Sequence, residues 1–368
     1  MHFGNHEDVT PAGFGGSDAI PALPDGPYAT PKPLRLAFTG SGSEYFRIWI
    51  VNALLTIVTF GIYSAWAKVR TLQYFYRNTR LDDATFDYHG KPAAILKGRA
   101  IVFGLALVFQ LCSQVSPILA LVMALVLAAV FPFLLVRSLR FRMANSSYRG
   151  LRFAFTGADG PAYKVFVLWP LLAAITLGAL TPLAHQRFKQ YQHNHTRFGT
   201  APFAFSASAG DFYGVYLRAF GLTVLLVVLA AVAGIALGIG SGSGKAASVL
   251  AGIFATLGIY LAMLAVGPYF TAKLQNVVWN HTTLAPHSFR SEVKAGRLFL
   301  IFVTNLLGIA LTLGLFMPFA RVRSTRYRIE SMTMLAAAPL DTFVAGEAEQ
   351  VGALGDAAVD WYDIDIAL

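Results

Sequence analysis

Six stretches of this chain contain no Asp, Glu, Lys or Arg: residues 48–67, 100–136, 165–184, 219–244, 246–272 and 298–320. About 20 apolar residues in helical form span a bilayer, so each stretch is long enough for one pass. The run 100–136 is long enough for two, with "SQVSP" at its middle as the turn. A soluble fold would have to hide all six runs in one core. Charged residues are only 13% of the chain, about half the usual share. The expected fold is therefore an all-α polytopic membrane protein. It has about seven apolar helical segments, with short interfacial β-strands that pair into a small sheet.

The ends differ from the middle. Residues 2–31 hold four acids and no Lys or Arg, and are rich in Gly and Pro. They lack the basic start and apolar core of a secretory signal, and read as a disordered tail. From Met332 onward there are seven acids and no base, ending in "DWYDIDIAL". A docking edge strand is the sharper reading of that end, a disordered tail the plainer one. All 29 Lys and Arg lie between Lys32 and Arg328 against eight acids, a net of +21. Beside membrane spans, this excess fits cytoplasmic loops and anionic phospholipid headgroups rather than nucleic acid. Cys112, the only cysteine, lies in an apolar run and says little about compartment.

Five segments align without gaps: "AWAKVRTLQYFYRNT", "PFLLVRSLRFRMANS", "PLAHQRFKQYQHNHT", "PYFTAKLQNVVWNHT" and "PFARVRSTRYRIESM". Their anchors are Arg70, Arg137, Arg187, Lys273 and Arg323, assigned here to the lipid interface. Five residues earlier stand Ala65, Pro132, Pro182, Pro268 and Pro318. Proline is welcome in a helix's first turn, so the four prolines are expected helix starts. Nine residues after the anchors come Thr79, Ser146, Thr196, Thr282 and, out of pattern, Met332. Period-two stretches such as "LRFAFTG" follow and predict strands; "LRLAFTG" precedes the first copy, and "DTFVAG" from Asp341 is a last candidate.

Copies one, three and five follow a single apolar run carrying Thr59-x-Gly61, Thr176-x-Gly178 and Thr312-x-Gly314; copies two and four end two-run hairpins. The membrane domain is thus 34–336, between tails 1–33 and 337–368. It divides into repeats 34–148 and 149–283 and a partial repeat 284–336. If every run crosses, successive units are inverted, as in many transporters. If instead all basic segments stay on one side, the single runs dip and return at Thr-x-Gly. The charge pattern favours the second arrangement.

The stretches "LAFTGSGSEYFRIWIVNALLTIVTFGIYSAWAKVRTLQYFYRNTRLDDATFDYHGKPAAILKGRA" and "VRSLRFRMANSSYRGLRFAFTG" resemble segments of the YjgN-like bacterial inner-membrane proteins, a family without an established activity. The resemblance covers about Leu34 to Thr333. It implies a multi-pass inner-membrane location, here expected with both tails cytoplasmic. The family commonly has proline where this chain has Ala65.

Asn52 and Asn305, each seven residues before a Thr-x-Gly, are expected to be structural glue between helices. With Thr59, Thr176 and Thr312 they also make a candidate intramembrane polar path. No charged residue lies within a span, which argues against a pump built on intramembrane carboxylates. His185, His193, His195, His281 and His287 are expected to be solvated at the interface rather than metal ligands. "GIGSGSGKAAS" fails as a phosphate-binding loop, because Ile239 and Ala246 replace the required Gly and hydroxyl residue. No catalytic constellation, metal set or cofactor motif stands out, and the chain is not expected to be an enzyme. A transporter or channel for a small solute or lipid is the first reading. A membrane organiser that binds lipid, a partner protein or a second copy of itself is the alternative, and an intramembrane lipid enzyme the third.

Overall fold

The computed structural model describes residues 30–240 and 244–343. The tail 1–29, the SGS at 241–243 of the glycine-rich hairpin and the "DWYDIDIAL" end lie outside those residues. Ten strands close into one antiparallel barrel. They are β1 (Lys32–Phe38), β2 (Thr79–Leu81), β3 (Ala84–Tyr88), β4 (Ser146–Tyr148), β5 (Leu151–Phe155), β6 (Thr196–Phe198), β7 (Ala201–Phe205), β8 (Thr282–Leu284), β9 (His287–Ser291) and β10 (Met332–Ala336). Each pairs with its neighbours in sequence, and β1 pairs with β10 to close the ring.

The barrel overturns the expectation of an all-α fold with a small sheet. Each of the first four copies supplies two strands where one was expected, and the fifth supplies β10 alone. In the first four copies the hydroxyl residue after the asparagine begins a strand of its own. In four copies the strand's first hydroxyl donates to the carbonyl four residues back and ends the helix. The pairs are Thr79 to Phe75 at 2.8 Å, Ser146 to Arg142 at 2.9 Å, Thr196 to Gln192 at 2.7 Å and Thr282 to Val278 at 2.7 Å. Met332 breaks the pattern because Ser331, one residue earlier, makes the same bond to Tyr327 at 2.6 Å. A two-residue turn then leads into the aromatic strand, as at Arg149 and Gly150, which both have positive φ; such turns match the twist of a hairpin. Closing the ring leaves no open strand edge.

Helical pairs fill the alternate connections. They are α1 (Gly42–Val58) with α2 (Ser64–Arg77), and α3 (Pro92–Val115) with α4 (Pro117–Ala144). In the third, α5 (Asp159–Tyr163), a π-helical stretch Lys164–Leu168 and α6 (Trp169–Ile175) lead to α7 (Thr181–Asn194). Then come α8 (Ala209–Gly240) with α9 (Gly244–Asn280), and α10 (Ala295–Leu311) with α11 (Met317–Glu330). In an up-and-down barrel successive connections alternate between the two ends. All five helical pairs therefore leave from one end, and all four tight turns lie at the other.

Of the seven expected apolar segments, four are helices long and apolar enough to cross a membrane: α3, α4, α8 and α9. The three single runs break at Thr-x-Gly. Phe60, Leu177 and Leu313 have φ near +50°, and Gly61, Gly178 and Gly314 have φ of +90°, +89° and +96°. Each Gly N–H bonds back five residues, to Thr56, Ala173 and Ile309, the closing bond of a Schellman turn. Pro182 and Pro318 start the returning helices as expected, but Pro132 and Pro268 lie inside α4 and α9. Those two helices run on from a long upstream partner, so their proline interrupts a helix rather than opening one.

Candidate functional site

The side chains of the barrel strands alternate, and the inward set is apolar. Five cross-strand pairs face one another: Leu36–Leu81, Phe86–Tyr148, Phe153–Phe198, Phe203–Leu284 and Phe289–Met334. All ten line one cavity of about 1140 Å³. The Tyr148 hydroxyl donates to the Leu81 carbonyl at 2.6 Å, so the ring shows the lumen chiefly its apolar face. The strap after β10 closes the turn end. Leu340 and Phe343 line the cavity there, and Phe343 stacks edge-on against Phe198 with centroids 5.0 Å apart. A turn of 3-10 helix, Leu340–Thr342, covers the start of the candidate strand "DTFVAG", whose last three residues lie outside the described ones. Arg149, in the β4–β5 turn, holds Asp341 of the strap and Asp82 of the β2–β3 turn.

At the helix end the cavity climbs between α1, α2 and α11. Trp49, Asn52, Ala53 and Thr56 line it from α1, at the spacing of one helix face. Five cations line the cavity from the helices: Lys68, Arg99, Arg142, Arg321 and Arg328. No Asp or Glu lines the cavity among the described residues. Arg99 donates to Ser64 Oγ, Arg321 Nη1 to the Tyr45 hydroxyl at 3.3 Å, and Arg328 Nε to Gln275 Oε1 at 2.8 Å.

These cations escaped the sequence reading, although a signal was present. In "AKVR" and "ARVR" two bases flank a valine, and the alignment anchored on the second, Arg70 and Arg323. Residues two apart on a helix point about 200° apart at 3.6 residues per turn. Lys68 and Arg321 therefore face the cavity while the anchors face outward. Arg328 lies seven residues beyond Arg321, on the same side.

None of the five anchors lines the cavity. Arg70, Arg187, Lys273 and Arg323 are exposed and Arg137 is half-buried. The four arginines lie over aromatic rings: Tyr63, Phe133, Trp169 and Phe316, at 5.6, 4.9, 5.8 and 6.0 Å. Of the candidate polar path, only Asn52 reaches the cavity. Its Nδ2 donates to the Ala67 carbonyl at 3.5 Å, and its buried Oδ1 has no hydrogen-bond partner. Asn305 makes the matching bond to Ala320 at 3.1 Å, and its Oδ1 accepts from Arg323. Both amides bind a returning helix to its partner.

Thr59, Thr176 and Thr312 do not converge on one another. Each hydroxyl donates four residues back, at 2.7, 2.8 and 2.6 Å, and accepts the N–H four residues on. They are turn clamps.

The histidines are not a solvated group. His193 and His287 are buried; His193 bonds Thr282 at 3.2 Å and His287 lies 5.1 Å from the Phe343 ring. Burial pushes His287 below the ordinary imidazole range. On the barrel's outside, burial would raise the Asp87 carboxyl. Arg77 Nε at 2.8 Å and the Tyr88 N–H outweigh this and hold it below the usual range. Among the described residues no three His, Cys, Asp or Glu are grouped to hold a metal.

Comparison with known proteins gives the same picture of an uncharacterised membrane family. The inner membrane protein YjgN of Salmonella typhimurium is 27% identical over 78% of this chain and 85% of its own length. The YjgN proteins of Escherichia coli O157:H7 and K12 are each 32% identical, over 39% of this chain and 36% of their own. No solved structure matches. Residues 33–361 match the family described as "Bacterial protein of unknown function (DUF898)". A repeat that builds barrel and helices together thus has relatives named as inner membrane proteins, and the chain belongs to the DUF898 family.

Proposed function

We propose that this chain is a multi-pass inner-membrane protein with transporter- or channel-like activity toward a small solute or lipid, and without a catalytic step. One observation carries the reading. A single cavity joins a face of α1, a membrane-dipping helix, to the lumen of the barrel. Ligand sites of about 300–1,000 Å³ are usual, so this one has room for a whole ligand and a path. Basic segments gather on the cytoplasmic side of inner-membrane proteins, which supports a cytoplasmic barrel with both tails on the same side. The outward anchors then lie at the level of anionic headgroups, their stems in apolar surroundings.

The strap supports a gated rather than an open path, because a ligand leaving through the turn end must pass Leu340 and Phe343. The outward anchors also support the organiser reading, in which their surface binds anionic lipid or a partner and nothing crosses. Purified protein in liposomes separates the two. Release of trapped carboxyfluorescein and flip of fluorescently tagged phosphatidylglycerol are both measured. Wild type is expected to speed at least one of them, and Thr71→Trp, which fills the cavity wall, to slow it at least tenfold. If neither exceeds the protein-free rate, the transport reading falls and the organiser reading takes its place.

A further inference from the structure

One buried acceptor in the cavity wall is left open, and another copy of the repeat shows how it can be closed. Asn52 and Asn305 hold the same place in α1 and α10, each 18 residues before its anchor. In α10 the amide is complete. Its Nδ2 donates to the Ala320 carbonyl and to Ser324 Oγ, both at 3.1 Å, and its Oδ1 accepts from Arg323 Nη1 at 2.8 Å. In α1 the amide keeps the bond from Nδ2 to the Ala67 carbonyl at 3.5 Å, while Oδ1 is buried and unpaired. The orientation of this amide is fixed, because a carbonyl only accepts and the nitrogen must face it. The counterparts of the closing residues stand elsewhere. Arg70, which corresponds to Arg323, lies over Tyr63 without reaching the Asn52 oxygen. Thr71, which corresponds to Ser324, lines the cavity together with Asn52. A buried acceptor without a partner is costly. Asn52, only 5% exposed, thus points to a donor that the chain itself does not supply.

The mouth of the cavity says where that donor comes from. Ile57 lines the cavity and is 73% exposed. It lies in the charge-free run 48–67, beside the reversal at Phe60 and Gly61. The opening therefore faces acyl chains rather than water. Resting on the reading of this cavity as a ligand path, we infer that it takes a lipid with an uncharged hydroxyl head. The head hydroxyl donates to Asn52 Oδ1, and the Thr71 hydroxyl is a second polar group for it. The apolar body runs along Trp49, Ala53, Leu72 and Ile57, which line the same cavity, out to the mouth. Other heads fit this oxygen less well. An ionised carboxylate carries only acceptors and would repel it. An ammonium can donate, but no Asp or Glu lines the cavity among the described residues to balance its charge, and burying an unbalanced charge is costly. A hydrocarbon without a head leaves the acceptor unpaired.

The test uses the full chain in nanodiscs of zwitterionic lipid with three probes: a long-chain alcohol carrying a diazirine close to its hydroxyl, the methyl ether of that alcohol, and the matching fatty acid. After irradiation, adducts are mapped by peptide mass. The alcohol is expected to label the peptides of α1 and α2 at least tenfold more than either of the others. This ratio is read on the wild-type chain and needs no variant to fold. Asn52→Leu, which removes the acceptor, is expected to cut the labelling at least fivefold. Asn305→Leu, which loses the matching tie away from the cavity, retains it, and this separates a lost acceptor from a lost tie. Equal labelling by alcohol and ether, or an acid that labels better than the alcohol, overturns the inference. So does an Asn52→Leu chain that melts like wild type and labels like it. Alcohol labelling without flux or lipid flip leaves the ligand class standing and removes transport. Flux with equal labelling by alcohol and ether does the opposite.

Discussion

The pairs α10/α11 and α8/α9 leave the barrel from the same kind of strand and return to the same kind of strand, yet they are held in different ways. In α10/α11 the chain reverses within one turn: Thr312 clamps both sides, Leu313 and Gly314 take positive φ, and Asn305 ties the arms. In α8/α9 the arms are 32 and 37 residues long and are joined by close backbone approach. A Cβ on Gly238 would lie 2.0 Å from Ala247 Cα, and one on Gly234 would lie 2.5 Å from the Leu250 carbonyl. Small residues four apart bring membrane helices together in this way. One repeat therefore tolerates two solutions to the same problem, a reversal stabilised by hydrogen bonds and one stabilised by packing.

The contrast breaks first at Gly238. Gly238→Val is expected to force the long arms apart and cost about 3 kcal/mol, the upper part of the usual overpacking range. Thermal unfolding in detergent reads the loss, and Gly104→Ala in α3, with no atom nearby, should leave the midpoint unchanged. An unaltered midpoint for Gly238→Val would mean that the arms are not held by contact. Next comes the tight turn. Gly314→Val places a branched side chain at φ +96° and is expected to cost about 2 kcal/mol. Gly252→Val inside α9, where the space is open, should cost clearly less. Equal losses at the two positions would remove the distinction.

The smallest effect sharpens it. Thr312→Val leaves the Phe316 N–H without its acceptor at 2.9 Å, a loss of about 1 kcal/mol. Thr256 in α9 also donates four residues back, at 2.9 Å, but it lies inside the helix and closes no turn among the described residues. Thr256→Val should therefore be near neutral, as judged by the same melting curves.

Much of this was legible in residues. The charge-free runs located every long helix, Thr-x-Gly located the reversals, and "LRFAF" predicted its strand. Closure was not legible, because a three-residue strand such as Thr79–Leu81 is too short for period two to register. Its partner across the ring, Leu36–Phe38, lies some forty residues away. The cations lining the cavity were hidden differently. Lys68 and Arg70 are equal as charges in a sequence, and only the helical angle between them sends one inward. Pro132 and Pro182 show a third limit, since identical spacing gives a helix interior after a long upstream arm and a helix start after a broken one.

The seam of the barrel lies between its first strand and its last. During synthesis, β1 must wait for β10, some three hundred residues later, before its outer edge is covered. All five helical pairs precede β10 in the chain and emerge from the ribosome while the cylinder is still a curved, open ribbon. Assembly then ends with a zipper action at Lys32–Arg35 and Thr333–Ala336. A chain shortened by even its final strand would carry two bare edges into the cell.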